Sequence, residues 1–126
     1  MDKNLNEEIK DKWENTEEYQ EYIEKTRHYS EEKWSNATTE LNNILKEFAM
    51  YRNNKEINSI EVYKLVEKLQ NTISNNYYSC SLDMLSNLGK MYISDERFKT
   101  TIDHYGEGTA LFISKAIENF IKKHQK

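Results

Sequence analysis

Apolar residues recur at intervals of three and four along most of the chain, and this spacing predicts four amphipathic α-helices. A serine stands just before three of these stripes, where its hydroxyl can accept a hydrogen bond from a backbone N–H of the first turn. The candidate caps are Ser30, Ser59 and Ser81. The stripes consist of Trp34, Ala37, Leu41, Ile44, Leu45 and Phe48, then Val62, Val66, Leu69 and Ile73, then Met84, Leu85, Leu88, Met91 and Tyr92, and finally Ala110, Ile113, Ile117, Phe120 and Ile121.

Residues that break helices are scarce and fall mostly between the stripes. The chain contains no proline and three glycines, two of which lie in the stretch HYGEG (104–108), just before the last stripe. The stretch SDERF (94–98) predicts one further, short helix with Ser94 as its N-cap. With 126 residues, the pattern predicts a single all-α domain that is long enough to bury a hydrophobic core.

Residues 1–33 differ from the rest, because their large apolar positions are mostly aromatic and stand in acidic sequence. Trp13, Tyr19, Tyr22 and Tyr29 are accompanied by few aliphatic residues. Short helices formed here would have little apolar surface to bury, so the segment suits a lid or an arm that folds on binding. An ordinary helical hairpin packed on the core is the alternative, and the sequence leaves both open. We therefore divide the domain into a lid segment, residues 1–33, and a core, residues 34–126.

The charge of the chain argues against direct contact with nucleic acid. The formal net charge is −4, and residues 1–33 carry eleven acidic and six basic side chains, a net charge of −5. Binding to a phosphate backbone requires clustered Lys and Arg, which this acidic segment does not provide. We expect no direct contact between this chain and DNA.

Hydropathy and cysteine content indicate where in the cell the protein is located and which cofactors it can hold. Mean hydropathy is −0.99, no apolar run approaches the roughly 18 residues of a spanning helix, and the N-terminus does not resemble a signal peptide. We expect a cytoplasmic protein without membrane contact. The single cysteine, Cys80, cannot form an internal disulfide or a multi-cysteine metal site, so we expect neither a metal nor another cofactor.

Candidates for catalysis are few. Cys80 is the one thiol, and no local spacing links it to His28, His104 or His124. The sequence has no glycine-rich phosphate loop or paired-histidine motif, and a haem site at His104 has no second supporting feature. Cys80 directly precedes the Ser81 cap, where a helix dipole would lower its pKa somewhat, but a lone cysteine is more commonly a small buried residue. We expect no enzyme activity.

Aromatic and methionine side chains are concentrated between residues 77 and 105. Leu85, Leu88 and Met91 fit a hydrophobic core. The adjacent pair Tyr77 and Tyr78 cannot present both rings to the same side, so at least one of them is expected to face a cleft or solvent. Walls of tyrosine and methionine are typical of pockets for large, mostly apolar ligands.

Three segments of the chain resemble the TipAS antibiotic-recognition domain, which is the C-terminal effector module of MerR-type transcriptional activators. The resemblance extends from about Trp13 to the C-terminus, and its most specific part is MYISDERF (91–98). The segments are NTEEYQEYIEKTRHYSEEKW (15–34), YYSCSLDMLSNLGKMYISDERF (77–98) and GEGTALFISKAIENF (106–120).

This resemblance implies a globin-like, all-α fold with a ligand cleft and a mobile N-terminal helical lid that closes over the ligand. Family members bind thiopeptides or other bulky, hydrophobic, peptide-like antibiotics, and some capture thiopeptides covalently through a cysteine. In this chain Asn87 stands at the position of the capturing thiol, and Met84-Leu85 replaces the family's Met-His. Binding is therefore expected to be non-covalent, with Cys80 structural or a secondary thiol. The expected ligand-binding residues are Trp13, Tyr19, Tyr22 and Tyr29 from the lid, and Tyr77, Tyr78, Met84, Asn87, Met91 and Phe98 from the cleft wall.

The resemblance leaves two biological contexts open. The chain is either the effector domain of a longer regulator, which would reach DNA through a separate helix-turn-helix domain and could form a homodimer, or a free-standing domain that sequesters antibiotic. Two other function classes remain as alternatives: a protein-interaction module whose N-terminal arm folds on a partner, and a thiol enzyme that uses Cys80. A large negative heat-capacity change on antibiotic binding would favour the antibiotic sensor.

Overall fold

The computed structural model describes residues 16–124, which form six α-helices. They are α1 (Glu17–Thr26), α2 (Glu31–Asn54), α3 (Ile60–Asn76), α4 (Leu82–Ser94), α5 (Glu96–Asp103) and α6 (Thr109–His124). No β-strand occurs within this part of the chain, so the predicted all-α fold is confirmed. None of these helices is both long and apolar enough to cross a bilayer.

Serine side chains cap three helices where the sequence predicts them. The hydroxyls of Ser30, Ser59 and Ser81 each accept a hydrogen bond from the backbone N–H three residues later, at the starts of α2, α3 and α4. These bonds satisfy donors that the first turn of a helix cannot pair internally.

The prediction that Ser94 caps the short fifth helix is wrong. Ser94 is the last residue of α4, and Asp95 is the N-cap of α5, where its Oδ1 accepts a hydrogen bond from the Arg97 backbone N–H at 3.0 Å. Asp95 has the extended backbone that a cap requires, while Ser94 still continues the preceding helix. An ionised carboxylate also complements the positive end of the helix dipole, which a hydroxyl does not.

Helix α6 is the centre of the fold, because it packs against α2, α3, α4 and α5. Ile113, Ile117 and Phe120 are buried along it. Its most extensive contact is with α4, where Gly89 faces Ile117. A Cβ added at Gly89 would lie 3.3 Å from Ile117 Cγ2, so the missing side chain lets the two helices approach closely.

The predicted break before the last helix is present at residues 104–108. Gly108 has φ +90°, a conformation that favours glycine and turns the chain into α6. Across this turn, the Asp103 carboxylate accepts a hydrogen bond from the Ala110 backbone N–H at 2.9 Å. The end of α5 is therefore held against the start of α6.

Helix α1 approaches the other helices less closely than most of them approach one another. The lid segment predicted to end at residue 33 overlaps the first turn of α2, which begins at Glu31. The division into lid and core stays a prediction. Because α1 lacks close backbone packing, the side chains that join it to the core decide its position.

Candidate functional site

Five aromatic rings join α1 to the start of α2 and to the residue that follows α3. We call this group the lid–core aromatic cluster; it consists of Tyr19, Tyr22, Tyr29, Trp34 and Tyr77. Ring centroids are 5.9 Å apart for Tyr19–Tyr22, 6.2 Å for Tyr22–Tyr77, 6.4 Å for Tyr22–Trp34, 6.4 Å for Trp34–Tyr77 and 5.5 Å for Tyr29–Trp34. These distances are in the range of favourable aromatic pairs.

Tyr22 lies at the centre of the cluster and is 6% exposed. Burial, with a smaller contribution from Tyr19, raises the pKa of its phenol to about 12, so the ring is neutral at physiological pH. The other four members are half-buried and present part of their surface to solvent. The cluster is therefore a partly open aromatic surface between α1 and the core.

Trp34 belongs to this cluster but was absent from the residues predicted to bind ligand. Its position at the start of a helical stripe indicates a core residue, and the structure places it half-buried against the core, beside Tyr29 and Tyr77. Trp34 follows Tyr29 by five residues, with the Ser30 cap between them, so both rings lie near the start of α2. This short separation is the feature of the sequence that indicates their contact.

Side-chain hydrogen bonds connect the α1 region to residues 74–80, which we call the docking turn. Lys25 Nζ donates to the Ser74 carbonyl at 3.0 Å, Tyr29 OH donates to the Asn76 carbonyl at 2.7 Å, and Ser79 Oγ donates to Glu21 Oε2 at 2.7 Å. Hydrogen bonds from Ser79 hold the pKa of the Glu21 carboxyl below its usual value. The contact with Ser79 therefore stabilises the ionised form of Glu21.

The adjacent side chains of Tyr77 and Tyr78 lie in different environments, as their neighbouring positions predict. Tyr77 is half-buried in the lid–core aromatic cluster, whereas Tyr78 is buried with Cys80 and Tyr92 in the hydrophobic core. Burial raises the pKa of the Tyr78 and Tyr92 phenols, with a smaller contribution from the nearby Cys80. Only one member of the pair can therefore present a partly open ring.

Cys80 is a buried thiol, 5% exposed, and lies just before α4. Its backbone is fixed on both sides: its N–H donates to Ser74 Oγ at 3.0 Å and its carbonyl accepts from Gln70 Nε2 at 2.8 Å. Burial raises the pKa of the Cys80 thiol to about 12. The prediction of a small buried residue is confirmed, and burial places the pKa of this thiol above its ordinary value rather than below it.

Cys80 is expected to be unreactive in the native chain, because the thiolate is the nucleophile and this thiol stays protonated near neutral pH. Its reaction with an aromatic disulfide reagent should be at least about a hundredfold slower in the folded protein than in denaturant. The reagent's absorbance change measures both rates. Similar rates in the two conditions would contradict the burial of this thiol.

The remaining residues predicted for the site lie elsewhere. Met84, Met91 and Phe98 are buried in the core, where Phe98 packs against Tyr92 with ring centroids 6.2 Å apart. Asn87 is exposed on α4. Trp13 lies outside the described residues. The structure thus brings Tyr19, Tyr22, Tyr29 and Tyr77 together, and the other predicted residues that it describes are not members of this cluster.

A cavity of about 10 Å³ lies between α3 and α6, lined in part by Val62, Tyr63 and Phe120. It holds no more than about one water molecule and contains none of the predicted site residues. Within residues 16–124, no three His, Cys, Asp or Glu side chains are grouped to hold a metal ion. The lid–core aromatic cluster, in which four of the predicted ligand-binding residues meet, is the candidate functional site.

Comparison with known proteins identifies relatives over most of the chain. It is 33% identical over 112 residues to the HTH-type transcriptional activator TipA of Streptomyces coelicolor, covering 88% of this chain and 44% of the relative. It is 34% identical over 98 residues to the HTH-type transcriptional activator mta of Bacillus subtilis, covering 78% and 38%. The chain therefore spans less than half the length of these relatives.

The structure is similar to that of a solved antibiotic complex, and the sequence matches a family model. TipAS of Streptomyces lividans, solved in complex with nosiheptide, superposes with a TM-score of 0.86 and 30% identity, over 98% of this chain and 87% of that one. The model of the TipAS antibiotic-recognition domain matches residues 5–120. The resemblance found in the sequence is confirmed, and the chain belongs to the TipAS antibiotic-recognition domain family.

Proposed function

We propose that this chain binds bulky, mostly apolar, peptide-like antibiotics of the thiopeptide class. The observation that carries the proposal is the likeness of nearly the whole chain to a domain solved with nosiheptide bound. The lid–core aromatic cluster supports it, because half-buried tyrosine and tryptophan rings offer flat, rigid faces on which ligand heterocycles can stack.

Binding would draw on the rings of α1 and of the core together. Tyr19, Tyr29, Trp34 and Tyr77 have partly open surface for ligand contact, and Tyr22 joins them at the centre. Tyr78, Met84, Met91 and Phe98, which are buried, would support this wall from behind. Trp13 and the exposed Asn87 are proposed as further contacts from the lid and from α4.

The binding is proposed to be non-covalent and without a catalytic step. Capture of a dehydroalanine by a thiol needs an accessible thiolate, and Cys80 is buried with a raised pKa. Asn87, at the position of the capturing thiol in the family pattern, has no nucleophilic group. Ligand should therefore be released unchanged when the protein is unfolded.

The biological context is proposed from the relatives. TipA and mta are HTH-type transcriptional activators of which this chain matches 44% and 38%. We propose that the chain acts in the cytoplasm as the effector domain of such a regulator, a homodimer that contacts DNA through a separate domain. Sequestration of antibiotic by a free-standing domain would use the same site.

Nosiheptide is the first ligand to test, and we expect saturable binding in a one-to-one ratio. Calorimetry at several temperatures should give a negative heat-capacity change, since binding buries apolar surface. Amide NMR shifts should be concentrated in residues 17–34 and 74–80. Intact mass measured after denaturation should equal that of the free chain.

Absence of binding to nosiheptide and to a panel of other thiopeptides would contradict the proposed function. A persistent mass increase equal to the ligand would contradict the non-covalent mode. An exposed substitution far from the cluster, Met50→Ala, is the matched control and should leave affinity unchanged, because Met50 is 59% exposed. Shifts caused by a protein partner but by no antibiotic would favour the protein-interaction alternative.

A further inference from the structure

Two carboxylates of α1 stand beside the lid–core aromatic cluster. Glu18 and Glu21 are both half-buried, and Glu21 accepts a hydrogen bond from Ser79 of the docking turn. Side chains three or four positions apart lie on one face of a helix, so Glu18 shares the face of Glu21 and Tyr22, one turn nearer the start of α1. The face of α1 that carries the central ring of the cluster therefore also carries negative charge.

Glu18 takes part in none of the ion pairs within residues 16–124. Burial is the main cause that raises the pKa of the Tyr78 phenol, and the negative charge of Glu18 adds to the same rise. That contribution requires the Glu18 carboxylate to lie near the docking turn, because the interaction between two charges weakens with distance. A partly dehydrated carboxylate without a cation is stabilised by any positive group that reaches it.

The aromatic cluster already holds a cation at one edge. Lys33 Nζ lies 5.3 Å from the ring centroid of Tyr29, a distance at which the electron-rich face of the ring attracts positive charge. Trp34 and Tyr77 are half-buried members of the same cluster, and a tryptophan ring attracts a cation more strongly than a tyrosine ring does. Partly open aromatic rings beside a carboxylate are features that favour the binding of organic cations.

The charge around the cluster has the same sign. Residues 17–34 contain six acidic and three basic side chains, a net charge of −3. Of the basic side chains, Lys25 donates to the Ser74 carbonyl and Lys33 lies over Tyr29, and both residues are exposed. The bases at this site therefore lie at its solvent-exposed edge, and the local potential attracts cations and repels anions.

We propose that the lid–core aromatic cluster also binds bulky organic cations, such as quaternary ammonium or phosphonium compounds, and that Glu18 selects positive over negative ligands. The rings would stack on the apolar body of the ligand, and the Glu18 carboxylate would lie near its charge. The inference rests on the proposed function for its choice of site. It adds a ligand class that peptide-like antibiotics do not represent, because these ligands carry a permanent positive charge.

Two ions of nearly the same shape and opposite charge test the proposal on the full chain. Tetraphenylphosphonium and tetraphenylborate each carry four phenyl rings around a central atom, so they differ chiefly in the sign of their charge. Calorimetry should show tetraphenylphosphonium binding at least about tenfold more tightly, since attraction of one ion and repulsion of the other both contribute. The preference should shrink at high salt, which screens charge. Amide NMR shifts should be concentrated in residues 17–34 and 74–80.

Glu18→Gln removes the charge and keeps the shape of the side chain. Affinity for tetraphenylphosphonium should fall about two- to fivefold, the scale of one partly exposed charge pair, and affinity for tetraphenylborate should rise. Glu17→Gln is the matched control, because Glu17 stands in the same first turn of α1 but is exposed. It changes the net charge equally and should alter either affinity by less than about 1.5-fold.

Equal affinity of the unmodified chain for the two ions, or no binding of tetraphenylphosphonium, would overturn the proposal. Equal effects of Glu18→Gln and Glu17→Gln would also overturn it, because the net charge of the chain rather than Glu18 would then set the preference. Failure of the proposed function is distinguishable: nosiheptide would then not bind, whereas the comparison of the two ions requires no thiopeptide. Binding of nosiheptide without a preference between the ions would overturn this inference alone.

Discussion

Replacing Phe120 by alanine is expected to lower the free energy of unfolding by about 3–5 kcal/mol. Phe120 is 1% exposed on α6, the helix that packs against four others. Its ring centroid lies 4.8 Å from that of Tyr63 and 4.3 Å from that of His124. Alanine would remove this burial and leave a cavity that the surrounding helices can close only in part. Urea unfolding followed by circular dichroism measures the change.

Leu111→Ala is the matched control on the same helix, because Leu111 is 47% exposed; it should change stability by less than about 0.5 kcal/mol. The loss of unfolding free energy expected for Phe120→Ala is large relative to the roughly 5–15 kcal/mol that stabilises a whole domain. If Phe120→Ala does not fold, Phe120→Leu should fold with a smaller loss, about 1–2 kcal/mol. A Phe120→Ala variant as stable as Leu111→Ala would contradict the assigned packing.

Replacing Tyr22 by alanine is expected to release α1 while leaving the rest of the domain folded. Tyr22 contacts the rings of Tyr19, Trp34 and Tyr77, and each aromatic pair contributes about 0.5–1.5 kcal/mol beyond the burial of its area. An isolated helix of ten residues is marginal in water. Without this ring, α1 loses three aromatic contacts and keeps exposed hydrogen bonds to the docking turn, which contribute less.

Exchange protection in residues 17–26 should therefore be lost in Tyr22→Ala, while protection in α4 and α6 is retained. Affinity for nosiheptide should fall by more than about tenfold, since the ligand would have to dock α1 as it binds. Ile23→Ala is the control, because Ile23 neighbours Tyr22 on α1 and is 36% exposed. Retained protection of α1 in Tyr22→Ala would show that the aromatic cluster does not hold the helix.

The helices and most of their starts were predictable from the sequence because they depend on residues a few positions apart. Apolar spacing placed α2, α3, α4 and α6, and the caps at Ser30, Ser59 and Ser81 followed from their hydroxyl groups. The cap of α5 was misassigned by one residue, from Asp95 to Ser94, because two polar residues in succession both satisfy the local pattern.

The candidate site was only partly predictable, since an aromatic residue looks the same in sequence whether it lines a cleft or fills a core. Tyr77 and Tyr78 have nearly identical sequence surroundings, yet one lies in the lid–core aromatic cluster and the other beside Tyr92 in the core. Trp34 begins an apolar stripe typical of a core, and its contact with Tyr77 joins residues far apart in the chain.

The helical class, the acidic character of the N-terminal segment and the family to which the chain belongs are all evident in the sequence. These properties follow from local spacing, composition and motifs. Three properties depend on the tertiary structure: the rings that meet between α1 and the core, the turn that receives α1, and the burial that raises the pKa of Cys80. Burial and long-range hydrogen bonds depend on residues that are distant in the chain, so no local pattern contains them.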